Sequence, residues 1–285
     1  MHFARRVLEY TEIVNPIRIV AFGDTHVGSN TFARNRFKNF LLKQSQHPNT
    51  YFVGMGDFFD ALVVSDKKRF RLSNIDKKYF DCNNPDQFLD TQVEDMTELL
   101  LPYKDKILGL IRGNHEDEIL KRYNTDLCWQ LCKNLGGSHL DWGYSALILL
   151  NIRFARTGPS GGSKSRAVKL FLHHGFGGGT RTEGGAISSY ARFITYYSAD
   201  IYLVAHSHQL WSKKIARIGI NKNGDCEDRS VILANTGTWK RSLSDTVVPT
   251  CEERMGFNPR LLGGTVVELK LNRHNSFPDI SVSEI

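Results

Sequence analysis

Short runs of apolar residues recur along the chain, and each run ends in a cluster of polar residues. The runs are rich in β-branched and aromatic side chains and have the length of β-strands. Five of them end in Asp, Asn or His, and they cover residues 17–22, 51–53, 107–111, 168–172 and 201–204. Helix-like patterns lie between the runs, over about residues 32–46, 86–101, 116–135 and 186–197. Strands that alternate with helices are typical of an α/β fold.

The second half of the chain has further strand-like segments, but no long helices separate them. These segments cover residues 144–156, 215–221, 229–235 and 263–271. We expect them to form a second, more antiparallel sheet. The sequence from Asn272 onward is polar, and we expect it to be loosely held. No internal repeat or long linker divides the sequence, which predicts a single domain over residues 1–285.

Two segments have the composition of insertions. Residues 157–166 are rich in Gly and Ser and are typical of a flexible loop. Residues 61–85 predict a basic cap, because the following cations are grouped there: Lys67, Lys68, Arg69, Arg71, Lys77 and Lys78. If the cap covers an active site, Phe70 and Tyr79 are available to stack on nucleobases. The alternative is a solvated basic face, which is the usual fate of a charge run.

Polar clusters at the ends of the five strands carry the candidate chemistry. They are Asp24-Thr-His26, Gly56-Asp57-Phe-Phe-Asp60, Gly113-Asn114-His115-Glu116, His173-His174-Gly175 and His206-Ser-His208. In open α/β sheets, function gathers in the loops after the carboxyl ends of strands, so these side chains are expected to converge. Carboxylate, imidazole and amide ligands without a thiolate suit divalent ions such as Mn, Fe or Zn.

Charge and cysteine content limit the partners and the compartment. The chain has a net charge of +7 and a sequence pI near 9.1, which favours anionic partners such as nucleic acid or phosphorylated metabolites. Five cysteines without dense spacing argue against a disulfide framework, and we interpret Cys128 and Cys132 as core thiols. No apolar run reaches the length of a signal peptide or of a membrane helix. We therefore expect a cytoplasmic protein without a membrane partner.

The ordered set of clusters resembles the calcineurin-like metallophosphoesterase superfamily, from about Ile17 to His208. The stretch Asn235-Thr-Gly-Thr-Trp239 is similar to a segment that often follows the last histidine pair in that family. One departure is Ala205, where the family usually has Gly. The resemblance implies a two-sheet β-sandwich flanked by helices, in four αββα layers.

The resemblance also implies roles for individual residues. Asp24, His26 and His208 would hold one metal ion, Asn114, His206 and one of His173 and His174 a second ion, and Asp57 would bridge the two. Between the paired histidines we prefer His173, with His174 close to the substrate. His115 matches the catalytic histidine of the family. Asp60 and Glu116 fit roles in orienting the histidines, and Arg181 is a candidate to bind a substrate phosphate.

These roles imply a phosphoester hydrolase. Two ions about 3.5–4 Å apart lower the pKa of a shared water, and the resulting hydroxide attacks phosphorus while His115 assists the leaving group. We expect manganese to support the reaction in vitro. The basic charge favours a nuclease or nucleotide phosphodiesterase. The alternatives are a protein or small-molecule phosphomonoesterase and a non-catalytic nucleic-acid-binding module.

Overall fold

Two mixed β-sheets organise the chain in a computed structural model. The structure describes residues 1–10, 15–61, 72–79, 85–154, 164–177, 182–220, 223–244, 249–271 and 277–285. The strands of this part of the chain are β1 (His2–Tyr10), β2 (Ile17–Phe22), β3 (Thr50–Gly54), β4 (Ile107–Leu110), β5 (Ser145–Phe154), β6 (Lys164–His173), β7 (Ile201–Val204), β8 (Leu210–Ile220), β9 (Cys226–Thr236), β10 (Thr265–Lys270) and β11 (Asp279–Glu284). The helices are α1 (Arg34–Ser45), α2 (Pro85–Leu100), α3 (Asn114–Tyr123), α4 (Leu127–Leu135), α5 (Glu183–Tyr196) and α6 (Cys251–Met255).

The two sheets bring the five polar clusters to the ends of parallel strands. The five-stranded sheet has the order β11-β10-β2-β3-β4, and β2, β3 and β4 are parallel. The six-stranded sheet has the order β1-β5-β6-β7-β9-β8, and β6, β7 and β9 are parallel. The clusters of Asp24, Asp57 and Asn114 therefore leave one sheet, and the two histidine clusters leave the other.

Three apolar clusters separate the layers. One fills the space between the sheets and includes Ile19 and Val53 from one sheet with Ile148 and Leu203 from the other. A second lies between the five-stranded sheet and the helices α1, α2 and α4. The third packs α5 on the outer face of the six-stranded sheet. This is the predicted order of helices, sheet, sheet and helix.

Helix ends follow local signals in the sequence. The region predicted as one helix over about 116–135 is two helices, because Asn124 adopts the left-handed conformation and ends α3. The side chain of Asp126 then accepts a hydrogen bond from the backbone N–H of Trp129 and starts α4. Cys128 and Cys132 lie on the buried face of α4, as predicted.

The distribution of the later strands differs from the prediction. The segments expected to form a separate antiparallel sheet are divided, because β5, β8 and β9 join β6 and β7 whereas β10 pairs with β2. The sequence interpretation also missed β1, which pairs with β5 along its whole length. The expectation of a loosely held end is wrong for residues 279–284, which pair with β10 as β11. Residues 272–276 lie outside the described residues.

Only part of each expected insertion is described. Of the basic cap over residues 61–85, the described residues 72–79 form two short 3-10 turns. Tyr79 is 3% exposed and donates a hydrogen bond to Asp95, so its ring does not present a stacking surface. Phe70 and residues 155–163 lie outside the described residues, and residues 164–166 belong to β6. None of the described helices combines the length and apolarity needed to cross a membrane.

Candidate metal centre

Five loops bring the predicted ligand side chains together at one edge of the sandwich. Asp24 and His26 follow β2, Asp57 follows β3, and Asn114 follows β4. His174 follows β6, whereas His206 and His208 follow β7. Three groups of ligand atoms are compact enough for one ion: Asp24, His26 and His208 form the first, Asp57, His174 and His206 form the second, and His26, Asp60 and His115 form a third that shares His26 with the first.

The first group is built around Asp24. The Nε2 atoms of His26 and His208 lie 3.0 Å apart. The Oδ1 atom of Asp24 lies 3.3 Å from Nε2 of His208 and 4.0 Å from Nε2 of His26. This oxygen is buried and accepts no hydrogen bond within the described part of the chain. A buried carboxylate oxygen without a donor is costly, and a cation between it and the two nitrogens would satisfy all three atoms. The group therefore fits a divalent ion.

The second group is built around Asn114 and Asp57. The Oδ1 atom of Asn114 lies 3.1 Å from Nε2 of His174 and 2.7 Å from Nδ1 of His206. Nε2 of His174 is also 3.3 Å from Oδ2 of Asp57. The backbone N–H of His206 donates to Oδ2 of Asp24, which joins this group to the first.

The paired histidines are arranged in the opposite way to the sequence expectation. His174, which is fully buried, faces Asn114 and Asp57. His173 instead accepts a hydrogen bond from the backbone N–H of Gly175 through Nδ1. Its ring packs against Phe171 and Phe193 under α5, and burial lowers its pKa to about 4. The preference for His173 is therefore at odds with this geometry.

Oxygen acceptors orient the imidazoles of the centre. Nδ1 of His26 lies 3.1 Å from Oδ1 of Asp60, and Nδ1 of His174 lies 2.7 Å from the carbonyl oxygen of Met55. Nε2 of His206 lies 2.6 Å from the carbonyl oxygen of Gly177. In the neutral form of the imidazole, a ring nitrogen that faces such an acceptor donates its proton to it, so the other nitrogen carries the lone pair. In all three rings, that second nitrogen points into the centre, as metal binding requires.

His115 lies beside both groups. Its Nδ1 donates to the carbonyl oxygen of Asp60 at 2.7 Å, and its Nε2 lies 3.9 Å from Oδ2 of Asp57. The backbone N–H of His115 donates to the other oxygen of Asp57. The side chain is 14% exposed, so Nε2 is in reach of a molecule bound over the centre. The geometry suits proton transfer at Nε2.

The carboxylates of Asp24 and Asp57 and the imidazole of His174 shift each other's pKa. Burial favours the neutral forms of Asp24 and Asp57, but the neighbouring histidines outweigh it and lower the pKa of both carboxyls. Burial alone would lower the pKa of His174, but Asp57 and Asp24 raise it to about 10. The centre therefore concentrates negative charge that a cation, either a proton or a metal ion, compensates.

The backbone is strained at the candidate ligands. Five of them adopt positive φ angles: Asp24, His26, Asp57, His206 and His208. This conformation is uncommon for residues other than glycine, and it persists only where surrounding contacts impose it. At Gly113, an added Cβ would lie 2.1 Å from Oδ1 of Asp57, so a side chain there would displace this carboxylate.

Glu116 was predicted to orient a histidine, but its contacts in the structure are different. Its carboxylate accepts hydrogen bonds from the backbone N–H groups of Asp57, Phe59 and Gly113, rather than from a histidine. Burial, followed by repulsion from Asp57, raises its pKa to about 7. The buried carboxylate thus ties the loop after β3 to the loop after β4. The glutamate three residues after Gly113, at the start of a helix, was the available signal in the sequence.

Arg181 and the stretch that ends at Trp239 were also named from the sequence. Arg181 lies outside the described residues, so its predicted contact with a substrate phosphate stays a prediction. Trp239, at the end of the stretch that is similar to the family segment, is 3% exposed and packs against Phe37 and Phe40. Its backbone N–H and the hydroxyl of Thr238 both donate to the carbonyl oxygen of Asp24. The segment after β9 thus fixes the loop that holds the first ligands.

Comparison with solved structures gives distant likenesses. A metallophosphoesterase from Sphaerobacter thermophilus is 10% identical, with a TM-score of 0.35, and the match covers 94% of this chain and 88% of that one. Vps29 from Chaetomium thermophilum is 12% identical, with a TM-score of 0.34 and coverage of 94% and 95%. A protein serine/threonine phosphatase from Saccharomyces cerevisiae is 12% identical, with a TM-score of 0.34 and coverage of 100% and 84%.

Comparison with curated proteins gives no match. The family model for calcineurin-like phosphoesterases matches residues 17–210, a segment that contains all five ligand clusters. With the two sheets and the converging ligands described above, the chain belongs to the calcineurin-like phosphoesterase family.

Proposed function

We propose that the chain hydrolyses phosphate esters with two divalent cations. Asp24, His26 and His208 would hold one ion, and Asn114, His174 and His206 would hold the other. Asp57, whose Oδ2 faces His174, would contribute to both ions. The observation that carries this proposal is the orientation of the imidazoles: three rings bind an oxygen acceptor through one nitrogen and turn the other nitrogen toward the centre.

Bound divalent ions supply a water of lowered pKa and neutralise the phosphate oxygens of the substrate. The chain provides the geometry for that chemistry. The carboxylates and imidazoles fix the positions of charge, and Glu116 keeps Asp57 in place through backbone hydrogen bonds. His115 supplies a proton from Nε2 to the departing oxygen, while the carbonyl of Asp60 holds its other nitrogen.

Manganese is the metal that we propose for testing, since nitrogen and oxygen ligands without a thiolate suit it. For the substrate, we propose a phosphodiester of a nucleotide or nucleic acid. The net charge of +7 supports this choice because it attracts polyanions. A protein or small-molecule phosphomonoester is the alternative substrate.

The test measures hydrolysis of bis-p-nitrophenyl phosphate and of p-nitrophenyl phosphate by the full chain with MnCl₂. The variant Asp57→Asn keeps the size of the side chain and removes its charge. We expect it to lower turnover by about a hundredfold or more, because even outer partners of metal ligands cost about 10–100-fold. The matched control is His139→Gln, which changes an exposed histidine outside the centre.

The two substrates separate the reaction types. Faster turnover of the diester supports the proposed phosphodiesterase, and faster turnover of the monoester favours a phosphomonoesterase. Equal turnover by wild type and Asp57→Asn contradicts the proposed centre. If wild type hydrolyses neither substrate with any divalent metal, a non-catalytic role replaces the proposal.

A further inference from the structure

Lys240 lies next to the candidate metal centre, in the segment that follows β9. Its backbone N–H donates to the hydroxyl of Thr238, and the residue forms an isolated β-bridge with Phe32. The side chain is 16% exposed. Its ammonium nitrogen lies 3.8 Å from Oδ1 of Asp60 and 3.6 Å from Oε1 of Glu252. The cation thus sits between two largely buried carboxylates from distant parts of the chain.

Asp60 connects this cation to the centre. The same Oδ1 atom that faces Lys240 lies 3.1 Å from Nδ1 of His26. The carbonyl oxygen of Asp60 accepts the hydrogen bond from Nδ1 of His115. A displacement of the Asp60 carboxylate would therefore leave Nδ1 of His26 without its acceptor and allow that ring to turn, whereas the bond to His115 is made by the backbone. Both rings have their other nitrogen in the centre.

We propose that Lys240 is a positioning residue, whose ammonium holds the Asp60 carboxylate in the place from which it orients His26 toward the first metal ion. This inference rests on the proposed metal-dependent function. Glu252 provides the second carboxylate that keeps the ammonium between α6 and the loop after β3. The structure thus links α6 to a ligand through Glu252, Lys240 and Asp60.

The electrostatics of Asp60 agree with this geometry. Burial opposes the ionised form of its carboxyl, but Lys240 is the strongest opposing influence and, with His26, it lowers the pKa of Asp60. Glu252 anchors the arrangement because it belongs to α6, which begins with a capping box between Thr250 and Glu253. A lysine that instead bound the substrate phosphate would act without Asp60. The two roles therefore predict different results in a double-mutant cycle.

The experiment measures the dissociation constant of Mn²⁺ by isothermal titration calorimetry, on the full chain stripped of metal. Lys240→Met removes the charge and keeps most of the length, and we expect affinity to fall by about tenfold, the low end for outer partners of metal ligands. Lys240→Arg keeps the charge and should restore most of the affinity. Lys213→Met, at an exposed position on β8, is the matched control and should not change it.

Asp60→Asn and the double variant Asp60→Asn/Lys240→Met complete the cycle. If Lys240 acts through Asp60, the double variant should bind Mn²⁺ as weakly as Asp60→Asn alone. At saturating Mn²⁺, Lys240→Met should keep the KM of wild type for the phosphoester. Thermal melting of the metal-free variants identifies any that fail to fold. If Lys240→Met does not fold, wild type is compared with Lys240→Arg. The proposal then requires that Lys240→Arg lose less than about tenfold of the Mn²⁺ affinity.

Several outcomes overturn the inference. One is unchanged Mn²⁺ affinity in folded Lys240→Met. Another is that Lys240→Met lowers Mn²⁺ affinity by the same factor whether residue 60 is Asp or Asn. A higher KM at saturating Mn²⁺, with unchanged affinity for the metal, would assign Lys240 to substrate binding instead. Wild type that binds Mn²⁺ without hydrolysis contradicts only the proposed function, because affinity still tests Lys240. Wild type that binds no Mn²⁺ overturns both.

Discussion

Each buried imidazole of the centre has one ring nitrogen bound to an oxygen acceptor. His26 uses the carboxylate of Asp60, and His174 uses the carbonyl of Met55. These partners differ in what the sequence reveals. Asp60 belongs to a recognisable Gly-Asp-Phe-Phe-Asp cluster, whereas a carbonyl oxygen is present in every residue and has no signature. The ligand types could thus be predicted from the sequence, but the partners that orient them only in part.

The two adjacent histidines show a limit of the same kind. Side chains alternate between the faces of a strand, so His173 continues the face of Phe171 toward α5, and His174 continues the face of Leu170 and Leu172 toward the other sheet. The sequence of β6 is apolar on both faces at this end. Without a polar face as reference, its pattern does not tell which histidine turns inward. The choice of His173 depended on resemblance alone.

The paired histidines give a direct test of the centre. We expect His174→Ala to lower Mn²⁺ affinity by about a hundredfold or more, since loss of a ligand should exceed the effect of losing an outer partner. His173→Phe should keep the affinity within a few-fold, because the new ring suits the aromatic contacts with Phe171 and Phe193. Because the variant cannot accept the hydrogen bond from Gly175, its free energy of unfolding should fall by about 1 kcal/mol.

Calorimetric titration with Mn²⁺ measures the affinities, and urea unfolding of the metal-free proteins measures the stabilities. Similar losses of affinity in the two variants would contradict the assignment of His174. A larger loss in His173→Phe would restore the original preference for His173.

The elements of the fold were predictable to different degrees. β2 and β7 have short apolar runs and were predicted at their observed bounds, Ile17–Phe22 and Ile201–Val204. β1 and β11 are edge strands: β11 has polar residues at its exposed positions, and β1 mixes exposed polar residues with the exposed Phe3 and Val7, so β1 has no regular alternation of apolar and polar residues. These segments are ordered as strands by pairing with neighbouring strands, which their own sequences do not indicate. The choice of sheet for β10 likewise depends on contacts between distant segments.

Asp95 on α2 joins the described part of the expected cap to the rest of the domain. It accepts hydrogen bonds from Lys78 at 2.5 Å and Tyr79 at 2.6 Å, and it pairs with Arg34 on α1. Burial opposes ionisation of this carboxyl, but these partners lower its pKa. The cap residues Lys78 and Tyr79 are therefore attached to the core by a buried carboxylate.

Replacement of this carboxylate should destabilise the fold in a pH-dependent way. We expect Asp95→Asn to lower the free energy of unfolding at pH 7 by about 2 kcal/mol, the range for hydrogen bonds to a charged group. Because the folded pKa is below the unfolded value, the stabilisation is present above about pH 4 and is lost as the pH falls through the folded pKa. The difference between wild type and variant should therefore shrink at low pH.

Urea unfolding at pH 7, 5 and 3 measures this difference. Asp90→Asn on the exposed face of the same helix is the control, and it should match wild type at each pH. A difference for Asp95→Asn that grows as the pH falls would contradict the argument.

The candidate metal centre draws its side chains from both sheets. Asp24, Asp57 and Asn114 belong to loops of the five-stranded sheet, whereas His174 and His206 belong to loops of the six-stranded sheet. The helices, most strands and the presence of two sheets could be predicted, but the sheet to which each later strand belongs could not, since strand pairing over long separations leaves no local pattern. The convergence of five polar strand ends still indicated the location of the site, because that argument needs only the carboxyl ends of strands.

Ligands from two sheets should make the stability of the whole molecule depend on metal. An ion that binds only the folded chain adds about 2.7 kcal/mol at a concentration a hundred times its dissociation constant. For a chain of this size, we expect Mn²⁺ to raise the melting temperature by about 5 °C or more, and EDTA to reverse the effect. Asp57→Asn should show a much smaller rise, whereas His139→Gln should match wild type. Differential scanning calorimetry measures the shifts. An equal rise in Asp57→Asn would mean that the stabilising ion binds elsewhere, and no rise in wild type would contradict a metal centre that joins the two sheets.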